Sequence, residues 1–128
     1  RFDKGIDLIN ENMNKFNVNN MTVIKSKAPE GMEELPALDA VIIGGSAGGM
    51  TGIMDEAQRL LKVGGRLVVT AVTMETGYTI LKELKGRPFT YEGYQMSISR
   101  YRKAGPYHLL DPLSPIFIVS ATRIAEGE

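Results

Sequence analysis

Three stretches of the sequence carry residues able to do chemistry. The first is Gly44-Gly45-Ser46-Ala47-Gly48-Gly49. Glycines let backbone N–H groups approach a ligand closely, and a strand-to-helix junction in an open α/β sheet is where ligands bind. A tight turn is the plainer reading, but the cluster holds more glycine than a turn requires. It matches neither G-x-G-x-x-G followed by a ribose-binding acid nor G-x-x-x-x-G-K-[ST], so nucleotide-phosphate binding is not indicated. Ser46 sits between Gly44 and Gly48 at the spacing of a nucleophile elbow. A hydrolase would then need His108 as its base, nothing in the spacing selects Asp39 or Asp55 as its acid, and its sheet would exceed a domain of this size. The second stretch, Thr73-Met74-Glu75-Thr76, reads as a helix start in which a threonine oxygen and an early glutamate satisfy free N–H groups. The third, Arg100-Tyr101-Arg102-Lys103 followed by Gly105-Pro106-Tyr107-His108, puts guanidinium forks, aromatic rings and a titratable group together. That set suits a flat, acidic ligand; taken alone, the stretch is better read as a solvated hairpin tip.

Composition narrows the classes. The 128 residues, 43% hydrophobic and 23% charged, have the make-up of one globular domain. Lys+Arg 15 against Asp+Glu 15 leaves a net charge of +0, so the electrostatic footprint of a nucleic-acid or anionic-membrane binder is missing. With Cys 0 and His 1, disulfides, cysteine-based zinc sites and multi-histidine metal sites drop out, and a reducing cytoplasm is the expected compartment. No apolar run approaches the ~18 residues of a membrane span.

Elements must position these residues. Ile6, Ile9, Met13 and Phe16 recur at helical spacing, and Asn17 to Asn20 end that helix. Met21 to Ile24 reads as a short strand, and 26–38, with Pro29, Gly31 and Pro36, as a long loop. Asp39 to Ile43 is a nearly continuous apolar run, expected to be a strand buried on both faces of a parallel sheet. An amphipathic helix follows from Met50 to Lys62, with Val63-Gly64-Gly65 as its glycine stop. Arg66 to Val72 is a second buried strand, and a helix through Tyr78 to Lys85 ends at Gly86-Arg87-Pro88. Phe89 to Arg102 alternates, Ile116 to Val119 is a final strand, and a hairpin-like pair joined by a 103–115 connection is expected. The fold class is α/β, with parallel strands that end in an antiparallel addition.

Four stretches together resemble the decarboxylating precorrin methyltransferases of cobalamin biosynthesis. They are V-I-K-S-K-A-P-E from Val23, V-I-I-G-G-S-A-G-G from Val41, L-K-V-G-G-R-L-V-V-T-A-V-T-M-E-T from Leu61, and S-I-S-R from Ser97 with Tyr107-His108 and S-P-I-F-I from Ser114. L-K-x-G-G-R-L-V-V occurs in many S-adenosylmethionine methyltransferases; the glycine-serine loop with A-V-T-x-E-T is far more characteristic.

The resemblance implies a Rossmann-like class I methyltransferase sheet and methyl transfer from S-adenosyl-L-methionine to carbon 15 of a cobalt-precorrin, coupled to loss of the ring C acetate carboxyl. A sulfonium donor needs mainly alignment and exclusion of water. The conjugated macrocycle serves as electron sink for decarboxylation, with a proton donor or acceptor nearby. By position, Lys27 and Ala28 map to the adenine-contacting segment, with Lys27 standing where an acid is common, and Gly44 maps to the cofactor end of its strand. Gly45, Ser46 and Thr73 would face the substrate, with Arg100, Arg102 and Tyr107 beside His108 docking the carboxylates of an acidic tetrapyrrole, and Glu75 and His108 are the candidates for proton transfer. A homotetramer is implied, with the C-terminal strand edges as contact. The chain is expected to correspond to the latter two-thirds of one methyltransferase domain. By the resemblance it is expected to lack the first strands, one of which would lie between Met21–Ile24 and Ala40–Ile43, so weak or no cofactor binding by the chain alone is expected.

Overall fold

The computed structural model describes residues 2–45 and 48–127, which divide at Glu34/Leu35 into two units. In the first, α1 (Phe2–Lys15) forms where the apolar periodicity places it. It closes through Asn17, whose positive φ of 53° lets the Val18 N–H reach the Met13 carbonyl at 2.8 Å. Residues 21–24 do not form the expected strand. β-branched composition supplies propensity, but a strand exists only with a partner backbone, and no described residue pairs with this segment. The expected loop follows: the Lys27 and Pro29 carbonyls accept from Glu30 and Met32 N–H at 3.0 and 3.1 Å, and the Ala28–Pro29 bond is cis.

The second unit holds β1 (Leu38–Gly44), α2 (Met50–Leu60), β2 (Leu61–Ala71), α3 (Met74–Lys85), β3 (Phe89–Met96), β4 (Ser99–Ala104), β5 (Tyr107–Pro112) and β6 (Ile116–Arg123). One sheet runs β1-β2-β6-β3, with β1 parallel to β2 and β6 antiparallel to both of its neighbours; β4 and β5 pair separately. This is a mixed α/β fold with the expected antiparallel addition. Alternate β2 residues, Leu67 and Val69, pack with Val119 and Ala121 of β6 against Met54 and Ala57 of α2 and Ile80 and Leu84 of α3. Each large side chain fully buried there contributes about 1.5–3 kcal/mol.

Three expectations need correction. First, β1 is not buried on both faces: Ile43 is buried while Ile42 is 77% exposed. An apolar run reports suitability for burial, and here the α2–α3 core lies against one face only. Second, Gly64 and Gly65 do not stop α2. The helix ends at Leu60, Leu61 is already extended, and both glycines lie within β2. There the register jumps from Leu38↔Leu61 to Ala40↔Arg66. Gly64 has a φ of +85°, and a Cβ on Gly65 would stand 2.8 Å from the Lys62 carbonyl oxygen and 3.1 Å from that of Asp39. The glycines therefore serve a bulge. Third, the connection over 103–115 is no loop. The strand expected from Phe89 to Arg102 divides into β3, which pairs with β6, and β4, which turns through Gly105 (φ +61°) into β5.

Candidate functional site

The pairings bring several strand ends together. Gly44 closes the parallel register opposite Thr70, Ala71 faces Phe117 at the start of β6, and Phe117 faces Gln95 near the end of β3. At this end of the sheet two helices begin. α2 starts from Gly49, whose φ of +77° gives it a left-handed backbone, and no side chain caps it. Gly45 and Gly48 also have positive φ, and among the described residues nothing lies within 4 Å of a Cβ built on Gly44, Gly45, Gly48 or Gly49. Backbone conformation rather than close packing therefore calls for glycine at 45, 48 and 49. Ser46 lies outside the described residues.

α3 begins as its sequence indicates. The Thr73 hydroxyl accepts the Thr76 N–H at 3.1 Å and lies 2.9 Å from the Thr76 hydroxyl, while the Thr73 carbonyl accepts from Gly77. This cap holds the first turn, and with it Glu75. A cleft of about 330 Å³ lies between the two helix starts, lined by Gly48, Gly49, Thr51, Glu75, Thr76 and Thr79 together with Met50. Sequence reasoning found the glycines and Glu75 but missed the three threonines. Thr76 and Thr79 carried a signal, since they follow Thr73 at helical spacing; Thr51 carried none. A second, apolar groove of about 480 Å³ at the same end has Met74, Tyr78, Leu81, Tyr94 and Phe117 among its walls.

The remaining sequence candidates lie elsewhere. On the β4–β5 hairpin, Arg100 pairs with Asp111, Arg102 with Leu109 and Ala104 with Tyr107, so Arg100, Arg102 and Tyr107 share one face. The Arg102 Nε lies 3.8 Å from an Asp111 carboxylate oxygen. His108 pairs with Lys103, which places it on the other face, where its ring meets Tyr101 edge-on at 5.8 Å. The expectation that His108 sits beside both arginines is thus corrected: the side-chain period of two separates neighbours that the sequence shows together. Lys27 and Ala28 belong to the first unit, in exposed positions just before the cis bond.

Behind the cleft, the Glu83 carboxylate is held below its ordinary range by the Thr51 hydroxyl and the Arg87 guanidinium. Burial works against the charge on Arg87, but Glu83 and Asp55 outweigh it and raise its pKa.

A sequence profile described as the precorrin methyltransferase domain matches residues 2–123. The chain belongs to that family. It is 30% identical over 115 residues to a probable cobalt-precorrin-6B C(15)-methyltransferase (decarboxylating) from Sulfurisphaera tokodaii, covering 89% of this chain and 59% of that protein. Against the Salmonella typhimurium cobalt-precorrin-6B C(15)-methyltransferase (decarboxylating) the identity is 30% over 117 residues, 91% of this chain and 60% of the relative. The chain therefore spans about three-fifths of these precorrin methyltransferases. Among solved structures, a precorrin-6Y C5,15-methyltransferase from Geobacter metallireducens superposes with a TM-score of 0.85 at 30% identity, over 92% of this chain and 62% of that one.

Proposed function

We propose that this chain belongs to an S-adenosyl-L-methionine-dependent C-methyltransferase of cobalamin biosynthesis, which methylates carbon 15 of cobalt-precorrin-6B or precorrin-6Y and removes the ring C acetate carboxyl. The observation that carries the reading is the cleft of a precorrin methyltransferase domain in which Glu75, on a capped first turn, faces the glycine-rich start of α2. Gly44 and Gly45 are the proposed cofactor contacts, since no described atom lies within 4 Å of where their side chains would stand. When bound, the cofactor supplies an electrophilic methyl group.

The chain's own residues orient and exchange protons. Glu75 is the proposed donor or acceptor of the proton that accompanies decarboxylation, the electrons of the breaking carbon–carbon bond passing into the conjugated ring. Gly45 and the Thr73 turn are the proposed border of the substrate. Arg100, Arg102 and Tyr107, on one hairpin face, are the proposed docking group for the tetrapyrrole's carboxylates. His108, on the opposite face, is the weaker proton candidate. Both hairpin strands are almost wholly exposed, and an isolated two-stranded hairpin is marginal in water, which supports a homo-oligomer, a tetramer by family resemblance, with these strands as contact. A cytoplasmic enzyme fits the absence of cysteine.

The test is an assay of the full-length protein with methyl-labelled cofactor and cobalt-precorrin-6B, following label uptake and carbon dioxide release. Arg100→Ala and Arg102→Ala are expected to raise KM more than they lower kcat, because docking holds ground and transition states alike. Methylation of RNA with the precorrin left untouched would overturn the reading.

A further inference from the structure

The two walls of the cleft are tied together by a polar seam that no part of the proposed chemistry uses. The Thr51 hydroxyl, on the first turn of α2, donates to Glu83 Oε1 at 2.5 Å. The other oxygen of Glu83 accepts from Arg87 Nη2 at 2.8 Å and Nε at 3.3 Å. Arg87 then returns to α2, reaching Asp55 at 2.7 Å and the Gln58 side-chain oxygen at 3.0 Å. Thr51, Asp55 and Gln58 lie at i, i+4 and i+7, on one helix face. The side chains of Arg87 and Glu83 are only 13% and 17% exposed, so the seam is partly shielded and its charged bonds are stronger than those of a surface pair. Beneath it, Met54 and Ala57 of α2 and Ile80 and Leu84 of α3 belong to one buried cluster. Apolar packing of that kind is close but non-directional, whereas a carboxylate gripped at both oxygens adds a directional tie between the two helices.

We infer that Thr51, Glu83 and Arg87 are positioning residues, which set the separation between the glycine-rich start of α2 and the Glu75–Thr76 turn of α3. Thr51 joins the two roles, since it lines the cleft and anchors the seam. This inference rests on the methyltransferase reading for its catalytic consequence but not for its structural one.

The experiment compares Thr51→Val, which keeps the shape and removes the donor, with Thr51→Ser, which restores it, in the full-length protein. Amide hydrogen exchange is expected to quicken in Thr51→Val at 48–51 and at 75–77 together, and to return to wild-type rates in Thr51→Ser. In the methylation assay, Thr51→Val should lower kcat roughly tenfold with KM little changed, within the ~10²-fold that a displacement of about 1 Å can cost; Thr51→Ser should match wild type. Glu83→Gln, which keeps one acceptor oxygen for Thr51 but turns amide N–H groups toward the Arg87 guanidinium, should quicken exchange at least as much as Thr51→Val; wild-type exchange in it would overturn the inference. Unchanged exchange at both helix starts in Thr51→Val would overturn the inference, as would a serine variant that fails to rescue. Quickened exchange in a protein with no activity on any precorrin would leave the seam standing and refute the function proposed above.

Discussion

Replacing Gly65 by alanine tests the strand register on which the cleft depends. The added Cβ would stand 2.8 Å from the Lys62 carbonyl oxygen, 3.0 Å from a Leu61 methyl and 3.1 Å from the Asp39 carbonyl oxygen. The leucine methyl can rotate away. The two carbonyls cannot, because they belong to the bulge that carries the pairing from Leu38↔Leu61 to Ala40↔Arg66. Overpacking of this sort costs about 1–3 kcal/mol, against which the stiffer unfolded chain returns about 0.4–1 kcal/mol. The net loss is on the order of 1–2 kcal/mol, which for a unit of this size lowers Tm by roughly 4–16 °C. Gly64 is the control. It has a φ of +85° with nothing within 4 Å of its Cβ, so Gly64→Ala suffers backbone strain alone, about 1–2 kcal/mol. Asparagine tolerates that backbone, so Gly64→Asn should recover part of the loss, while Gly65→Asn should be worse than Gly65→Ala. Thermal melts followed by circular dichroism, with urea titrations to show an unchanged m value, measure all four variants. Equal stability of Gly65→Ala and wild type, or asparagine rescue at 65 rather than 64, would refute the bulge register.

Two further outcomes follow from burial and charge. Leu84 is fully buried in the α3 side of the core, so Leu84→Ala should cost about 2–5 kcal/mol, read as a lower urea midpoint; the half-exposed Leu81 should lose far less on the same change. Glu83, whose carboxyl is held down by Thr51 and Arg87, stabilises the fold fully above its unfolded pKa near 4.5. That contribution is lost as the pH falls through the lower folded value. The wild-type protein should therefore lose stability on acidification below about pH 4.5 more steeply than Glu83→Gln; parallel pH profiles would remove Glu83 from the account.

What the sequence reveals follows from the range of the interaction. Helices α2 and α3 were legible because Ile53, Ala57 and Leu60, or Ile80 and Leu84, carry their period locally, and the Thr73 cap was legible because its partner Thr76 is three residues away. The glycine loop could be placed because an apolar run precedes it and a helix follows. Features decided by distant partners were not legible. Residues 21–24 have strand composition and no described partner; Ile42 looks like core and faces outward; Gly64 and Gly65 resemble a helix stop until β1 lies alongside them. His108 and Arg102 look like neighbours until pairing assigns them opposite faces. Thr51 and Glu83, 32 positions apart, share no local signature at all.

The β4–β5 hairpin also bears on how the sheet assembles. β3 and β6 meet only across the whole segment from Met96 to Ile116, and a flexible connection of that length would charge its full closure entropy to the β3–β6 pairing. Hairpins form locally within about 1–10 μs. Once β4 and β5 have zipped around Gly105, the Leu113 N–H bonds the Ile98 carbonyl at 2.9 Å at their base, and only short spans remain on either side. The closure that β6 must make to reach β3 then becomes a short one, each halving of the effective loop sparing about 0.6 kcal/mol. The hairpin thus converts a long-range encounter between two strands into a nearly local one.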